Sequence, residues 1–257
     1  MYGGKYLGKF LPFLPWGTHW FIDKEALLLI EEEGVKIGND FPSLRLINIF
    51  EEFRGPDGAW IREEYADSNM YYNPDTGEGN APQEAVRLLG KLILALEEKD
   101  VYVIAQEAAW LAHVVSDMLW PPHQVGHYQD FTTHYWFWKI RTDWYDGLTG
   151  SLWDKNDKHS KIEFLTVFAF KGRKEKKGSL DYDLIDEAKK NYFVVENYLK
   201  STAREIKALN IYEKFIKEGW SKEIKAEINR KVFPRVISCV ATIWYLACLF
   251  KKEENLL

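Results

Sequence analysis

The segment from Val101 to His123, VYVIAQEAAWLAHVVSDMLWPPH, sets the tightest limit on what this chain can fold into. Its apolar residues recur at helical spacing, and Asp100 stands in front of them as a cap. Pro121 and Pro122 lack the amide donors that a helix needs, so the element must stop near Leu119. Within this apolar helix His113 and Asp117 are one turn apart, at i and i+4, and share a face. A carboxylate buried without a partner is strongly destabilising. The fold therefore has to bring something cationic to Asp117.

Helical spacing extends over almost the whole chain, which predicts an all-α fold. Thr18 to Glu33 reads as a first helix ended by Gly34, and Ser43 caps a second that runs through Phe53. Asn80, with Pro82 in the first turn, opens the helix that precedes Asp100. Further helices are expected near 128–146, 181–208 and 221–251, with Pro234 kinking or breaking the last. The apolar run Val236 to Phe250 is short of the roughly twenty residues a membrane span needs, so it reads as a central buried helix rather than a transmembrane segment. Residues 1–257 are expected to form a single all-α domain, with 1–15 as an N-terminal arm and 147–180 as an irregular insertion. That insertion holds IEFLTVFAF, which reads as a short strand pair, and the basic run KGRKEKKG, which reads as a solvated loop. Residues 55–79 form a second turn-rich stretch, long enough to carry function.

Composition narrows the function classes. With 34 basic and 39 acidic residues the formal charge is −5, which gives no general attraction for nucleic acid or an anionic membrane. Cys239 and Cys248 lie in an apolar run, match no ligand spacing, and read as small buried hydrophobes. The start of the chain, with two prolines interrupting its apolar patch and no clear cleavage site, does not read as a signal peptide. The expected location is cytoplasmic, or secreted if residues 1–15 are removed.

Four of the six histidines, His113, His123, His127 and His134, lie close together in the sequence. Imidazole nitrogen plus carboxylate oxygen is a ligand set for zinc and other divalent first-row metals. His123, just past the proline stop, is placed to turn back toward the cavity that His113 and Asp117 face or toward a neighbouring one.

The pattern H-x3-D-x5-H, with proline before the last histidine, resembles the core motif of the zinc-dependent phospholipases C and of the related zinc nucleases that cut single strands. GTHWFIDKEALLLI resembles that family's first-helix segment, and YYNPDTG at 71–77 resembles a tract of the phospholipases C. The resemblance covers roughly 16–140 and 230–250. It implies an all-α bundle with a metal cleft that holds up to three zinc ions and hydrolyses phosphodiesters.

Carried over by position, the resemblance implies that His19, Asp57, His113, Asp117, His123 and His134 are metal ligands. Asp117 would bridge two ions, with His113 and Asp57 on one and His19 on the other, while His123 and His134 hold a third. Adjacent cations acidify a shared water, giving hydroxide near neutral pH to attack phosphorus, and Asp57 is the candidate general base. The chain departs from the family pattern at Met70, where a histidine is expected, and at Trp138, where a glutamate is expected. Asp130, His127 and Asp143 are the candidates to replace that glutamate. Trp16, the counterpart of an N-terminal tryptophan that chelates metal through its free amine, is internal.

The expected activity is that of a metal-dependent phosphoric diester hydrolase, with zinc or another divalent metal, one to three ions, as cofactor. The partner is a phosphodiester substrate, phospholipids among them, and no stable nucleic-acid complex is expected. The alternatives are a single-strand nuclease-like phosphodiesterase and a degenerate, non-catalytic scaffold or binding protein.

Overall fold

The helices are laid out around one central apolar element near the C-terminus. The computed structural model describes residues 18–53, 71–124, 162, 165, 166 and 178–254. In chain order these form α1 (Thr18–Glu32), α2 (Leu44–Asn48), α3 (Ala81–Glu98), α4 (Val101–Leu119), α5 (Tyr182–Ala188), α6 (Val194–Lys207), α7 (Ile211–Glu218), α8 (Lys222–Glu227) and α9 (Phe233–Glu254). Among the described residues the β-pairing is confined to an isolated bridge between Ile37 and Phe41. The fold is all-α, as expected.

Helix α9 is the hub, packed by α1, α3 and α4. Trp244 is fully buried on it, and its indole N–H donates to the carbonyl of Ala108 on α4 at 3.1 Å. That bond fixes the rotation of α4 against the core and satisfies the one polar atom of the indole. The helical run Lys222–Lys251 is long and apolar enough to cross a membrane, but 78% of its apolar window is buried inside the molecule. Pro234 does not break the run; it sits in the first turn of α9. The turn before it, Ile228–Val232, widens to π spacing, which accommodates the proline's missing amide.

Helices α3 and α4 fold back on each other through Lys99 and Asp100. Lys99 is left-handed at φ 61°, and its N–H caps the carbonyl of Ala95. Asp100 accepts from the amides of Tyr102 and Val103, so α4 starts where the sequence indicated. The tract before α3 is also self-built. The Asn73 carboxamide oxygen accepts from the amides of Asp75 and Thr76, and a Cβ on Gly79 would lie 2.0 Å from the Tyr71 carbonyl oxygen. NPDTG thus has a local backbone reason for its composition.

Three sequence expectations are corrected. The helix expected over 181–208 is two helices, α5 and α6, because the Asn191 side-chain oxygen accepts from the Phe193 amide and its backbone carbonyl accepts from the Val194 amide, two turns that compete with helix continuation. Helix α7 was not foreseen; left-handed Asn210 and Gly219 bound it. Ile162, Leu165 and Thr166, expected in a strand pair, are helical, and the Thr166 hydroxyl donates back one turn to the Ile162 carbonyl at 2.7 Å. The expected helix at 128–146, the arm at 1–15 and the basic run lie outside the described residues.

Candidate metal centre

Four elements converge on one buried cluster. On α1 the positions 19, 23, 26 and 30 form one helical stripe. Ala26 and Ile30 fill the core, and the stripe continues at its N-terminal end with His19 and Asp23, both buried. On α4 the face that carries His113 and Asp117 is buried along its whole last half. Glu51 comes from the π-helical turn Ile49–Phe53 that follows α2. His123 lies in a 3-10 turn, Pro121–Gln124. Gln124 anchors that turn by donating to the carbonyls of Met118 at 3.2 Å and Ala203 at 3.1 Å.

The two histidine rings stack, with centroids 4.2 Å apart and planes within 7°. Both present Nε2 to Asp117: His19 lies 3.4 Å from Oδ1 and His113 lies 3.2 Å from Oδ2. Both present Nδ1 to Glu51, at 3.0 Å for His19 and 2.9 Å for His113, on the same carboxylate oxygen. The His113 contact is an aligned hydrogen bond, whereas the His19 contact is a close approach without that alignment. His123 turns back so that its Nδ1 is 3.8 Å from Asp117 Oδ2. It thus approaches the carboxylate that His113 uses.

The electrostatics follow from this crowding. Burial alone would hold the His113 imidazole down, but Asp117 and Glu51 overcome it and raise its affinity for a proton well above the usual range. Burial likewise works against ionised Asp117, while the neighbouring His113 and His123 favour its charged form. Asp23 goes the other way: burial, and next the charge of Glu51, push it well up. Among the described residues neither of its oxygens has a hydrogen-bond partner.

The donor set fits a divalent metal. His19, His113 and Asp117 offer ligand atoms that all lie within 4.8 Å of one another. A tetrahedral ion with bonds of about 2.0–2.2 Å keeps its ligand atoms about 3.3–3.6 Å apart, close to the two Nε2 to carboxylate distances. Both ring nitrogens of His19 are buried without an aligned hydrogen bond among the described residues, which fits a role as a metal ligand.

Of the sequence-derived candidates the structure brings together His19, His113, Asp117 and His123. Asp57, His134, Met70, Trp16, Trp138, His127, Asp130 and Asp143 lie outside the described residues. Two members of the cluster escaped the sequence reading. Asp23 had a legible signal, since His19 and Asp23 repeat the His-x3-Asp spacing of His113 and Asp117. Glu51 had a weak one: Arg45, Asn48 and Glu52 share a polar face of LRLINIFEEF and Glu51 lies off it, but two adjacent glutamates at a helix end do not say which one is buried.

No protein-family model matches the chain, and no curated protein matches it in sequence. The solved structure of the alpha toxin from Clostridium absonum matches with a TM-score of 0.58 at 14% identity. The match covers 93% of this chain and 64% of the toxin chain, so this chain spans just under two thirds of that protein's length. At this identity the likeness is one of fold.

Proposed function

We propose that this protein is a metal-dependent phosphoric diester hydrolase of the zinc phospholipase C type. The observation that carries the reading is the buried His19, His113 and Asp117 cluster, held by the motif that resembles that family within an all-α fold shared with a clostridial alpha toxin. His19 Nε2, His113 Nε2 and Asp117 would share one ion, in place of the two ions bridged by Asp117 that the resemblance implies, with His123 within reach of the same carboxylate. Asp57 and His134 complete the proposed ligand set, with Asp57 also as general base.

A bound divalent metal supplies Lewis acidity toward the phosphoryl oxygens and lowers the pKa of water in its coordination sphere. The chain's own contribution is placement. Asp117 splits its two oxygens between the stacked rings, so it orients both histidines at once and presents anionic charge where a cation is needed. The low-dielectric surroundings strengthen that attraction.

The test is metal content per chain by elemental analysis, together with hydrolysis of bis-p-nitrophenyl phosphate, phosphatidylcholine vesicles and single-stranded DNA. Bound metal with chelator-sensitive turnover on vesicles is the expected result. Turnover on DNA alone would move the activity to the nuclease class, and metal without turnover on any of the three would leave a metal-binding scaffold.

A further inference from the structure

We infer that Glu51 is the positioning residue of this metal centre, acting on His113 and His19 from the side opposite the ion; the inference rests on the metal reading above. A carboxylate has no proton to give, so the 2.9 Å hydrogen bond between Glu51 Oε1 and His113 Nδ1 places the ring proton on Nδ1. Asp117 Oδ2 stands 3.2 Å from Nε2, so both edges of the ring face a carboxylate, and a ring that ligates an ion through Nε2 keeps its one N–H on Nδ1 for Glu51. The same Glu51 oxygen stands 3.0 Å from His19 Nδ1, whose Nε2 faces Asp117 Oδ1 at 3.4 Å. Glu51 thus holds the His113 ring by an aligned hydrogen bond and stands against the same edge of the stacked His19 ring, while the Nε2 atoms of both rings face Asp117.

Placement separates this role from direct ligation: Glu51 stands at the Nδ1 edge of both rings, whereas the atoms that can share one ion, those of His19, His113 and Asp117, gather at the Nε2 edge. A carboxylate that accepts the second ring N–H of a ligand histidine also raises the basicity of the ligating nitrogen. The π turn Ile49–Phe53 that carries Glu51 packs against α4, the helix of His113, and so delivers the carboxylate to the cluster.

The experiment is a zinc titration of the full chain against a competing chelating dye, on wild type, Glu51→Gln and Glu51→Ala, alongside 15N NMR of the histidine rings in zinc-loaded wild type. Expected are Nε2-metallated, Nδ1-protonated rings for His113 and His19. Glu51→Ala is expected to weaken zinc about 10–100-fold, with Glu51→Gln, which keeps an acceptor oxygen, losing less. Rings metallated at Nδ1, or unchanged zinc affinity in folded Glu51→Ala, would overturn the inference while leaving the metal site standing. Wild-type protein that binds no zinc would overturn both.

Discussion

His19 and His113 come from helices separated by most of the described N-terminal half, yet their rings stack 4.2 Å apart between two carboxylates, Asp117 on the Nε2 side and Glu51 on the Nδ1 side. Two polar rings brought face to face in a core would be costly unless each edge met charge. Asp117 is the carboxylate that both Nε2 atoms face. Asp117→Asn keeps the shape and removes the charge, and it is expected to weaken zinc by more than about 100-fold, beyond what outer-sphere changes cause. Diesterase activity should fall to background. A competition titration and a rate assay on the same preparation check this; unchanged zinc affinity would remove Asp117 from the ligand set.

Zinc should also be felt in stability, because the cluster joins α1, the turn after α2, α4 and the Pro121–Gln124 turn. An ion that binds the folded chain at a hundred times its Kd adds about 2.7 kcal/mol, which for a chain of this size raises Tm by roughly 5–10 °C. Thermal scans with added zinc and with chelator measure the difference. Coincident melting curves would mean that no ion binds the native state tightly.

The fold was legible where a single local rule decided the outcome. The α4 start at Asp100, its stop before Pro121, and the buried character of Val236 to Phe250 each followed from capping, proline chemistry or length. The reading failed where side chains reroute the backbone, as Asn191 does between α5 and α6, or where Thr166 bonds back along a helix in a segment rich in β-formers. In the site, His113 and Asp117 were visible because a charge in an apolar helix is an anomaly. Glu51 was not singled out because it stands beside Glu52, with only a weak cue to which of the two turns inward, and its partners His19 and His113 lie in other helices, 32 and 62 residues away along the chain.

Asp23 is wholly buried with both oxygens unpartnered among the described residues, and the structure gives it a pH signature. Its carboxyl in the folded chain is held well above the ordinary value of about 3.8 by burial and by Glu51. A raised acid contributes stability that is fully present below about pH 3.8 and lost as pH rises through the folded-state value. Metal-free Asp23→Asn should therefore match wild type in acid and exceed it at neutral pH, by on the order of 1–3 kcal/mol, the cost of one buried group left without a partner. Urea midpoints across pH 3 to 8 trace the crossover. A constant offset over that range would show that Asp23 does not titrate in the folded chain.

Gln124 links the fold to the site, since its two N–H bonds tie the turn that carries His123 to the end of α4 and to the middle of α6. Gln124→Leu preserves size but leaves the Met118 and Ala203 carbonyls without those donors, while it also removes a carboxamide oxygen that has no partner among the described residues. The net loss is expected to be about 1–2 kcal/mol, read as a lower urea midpoint at unchanged m. Because His123 approaches Asp117 at 3.8 Å rather than at the closer range of His113, loosening its turn should weaken zinc less than Asp117→Asn does. Zinc affinity lost to the same extent in both variants would instead place His123 among the principal ligands, with the turn held as firmly by the metal as by Gln124.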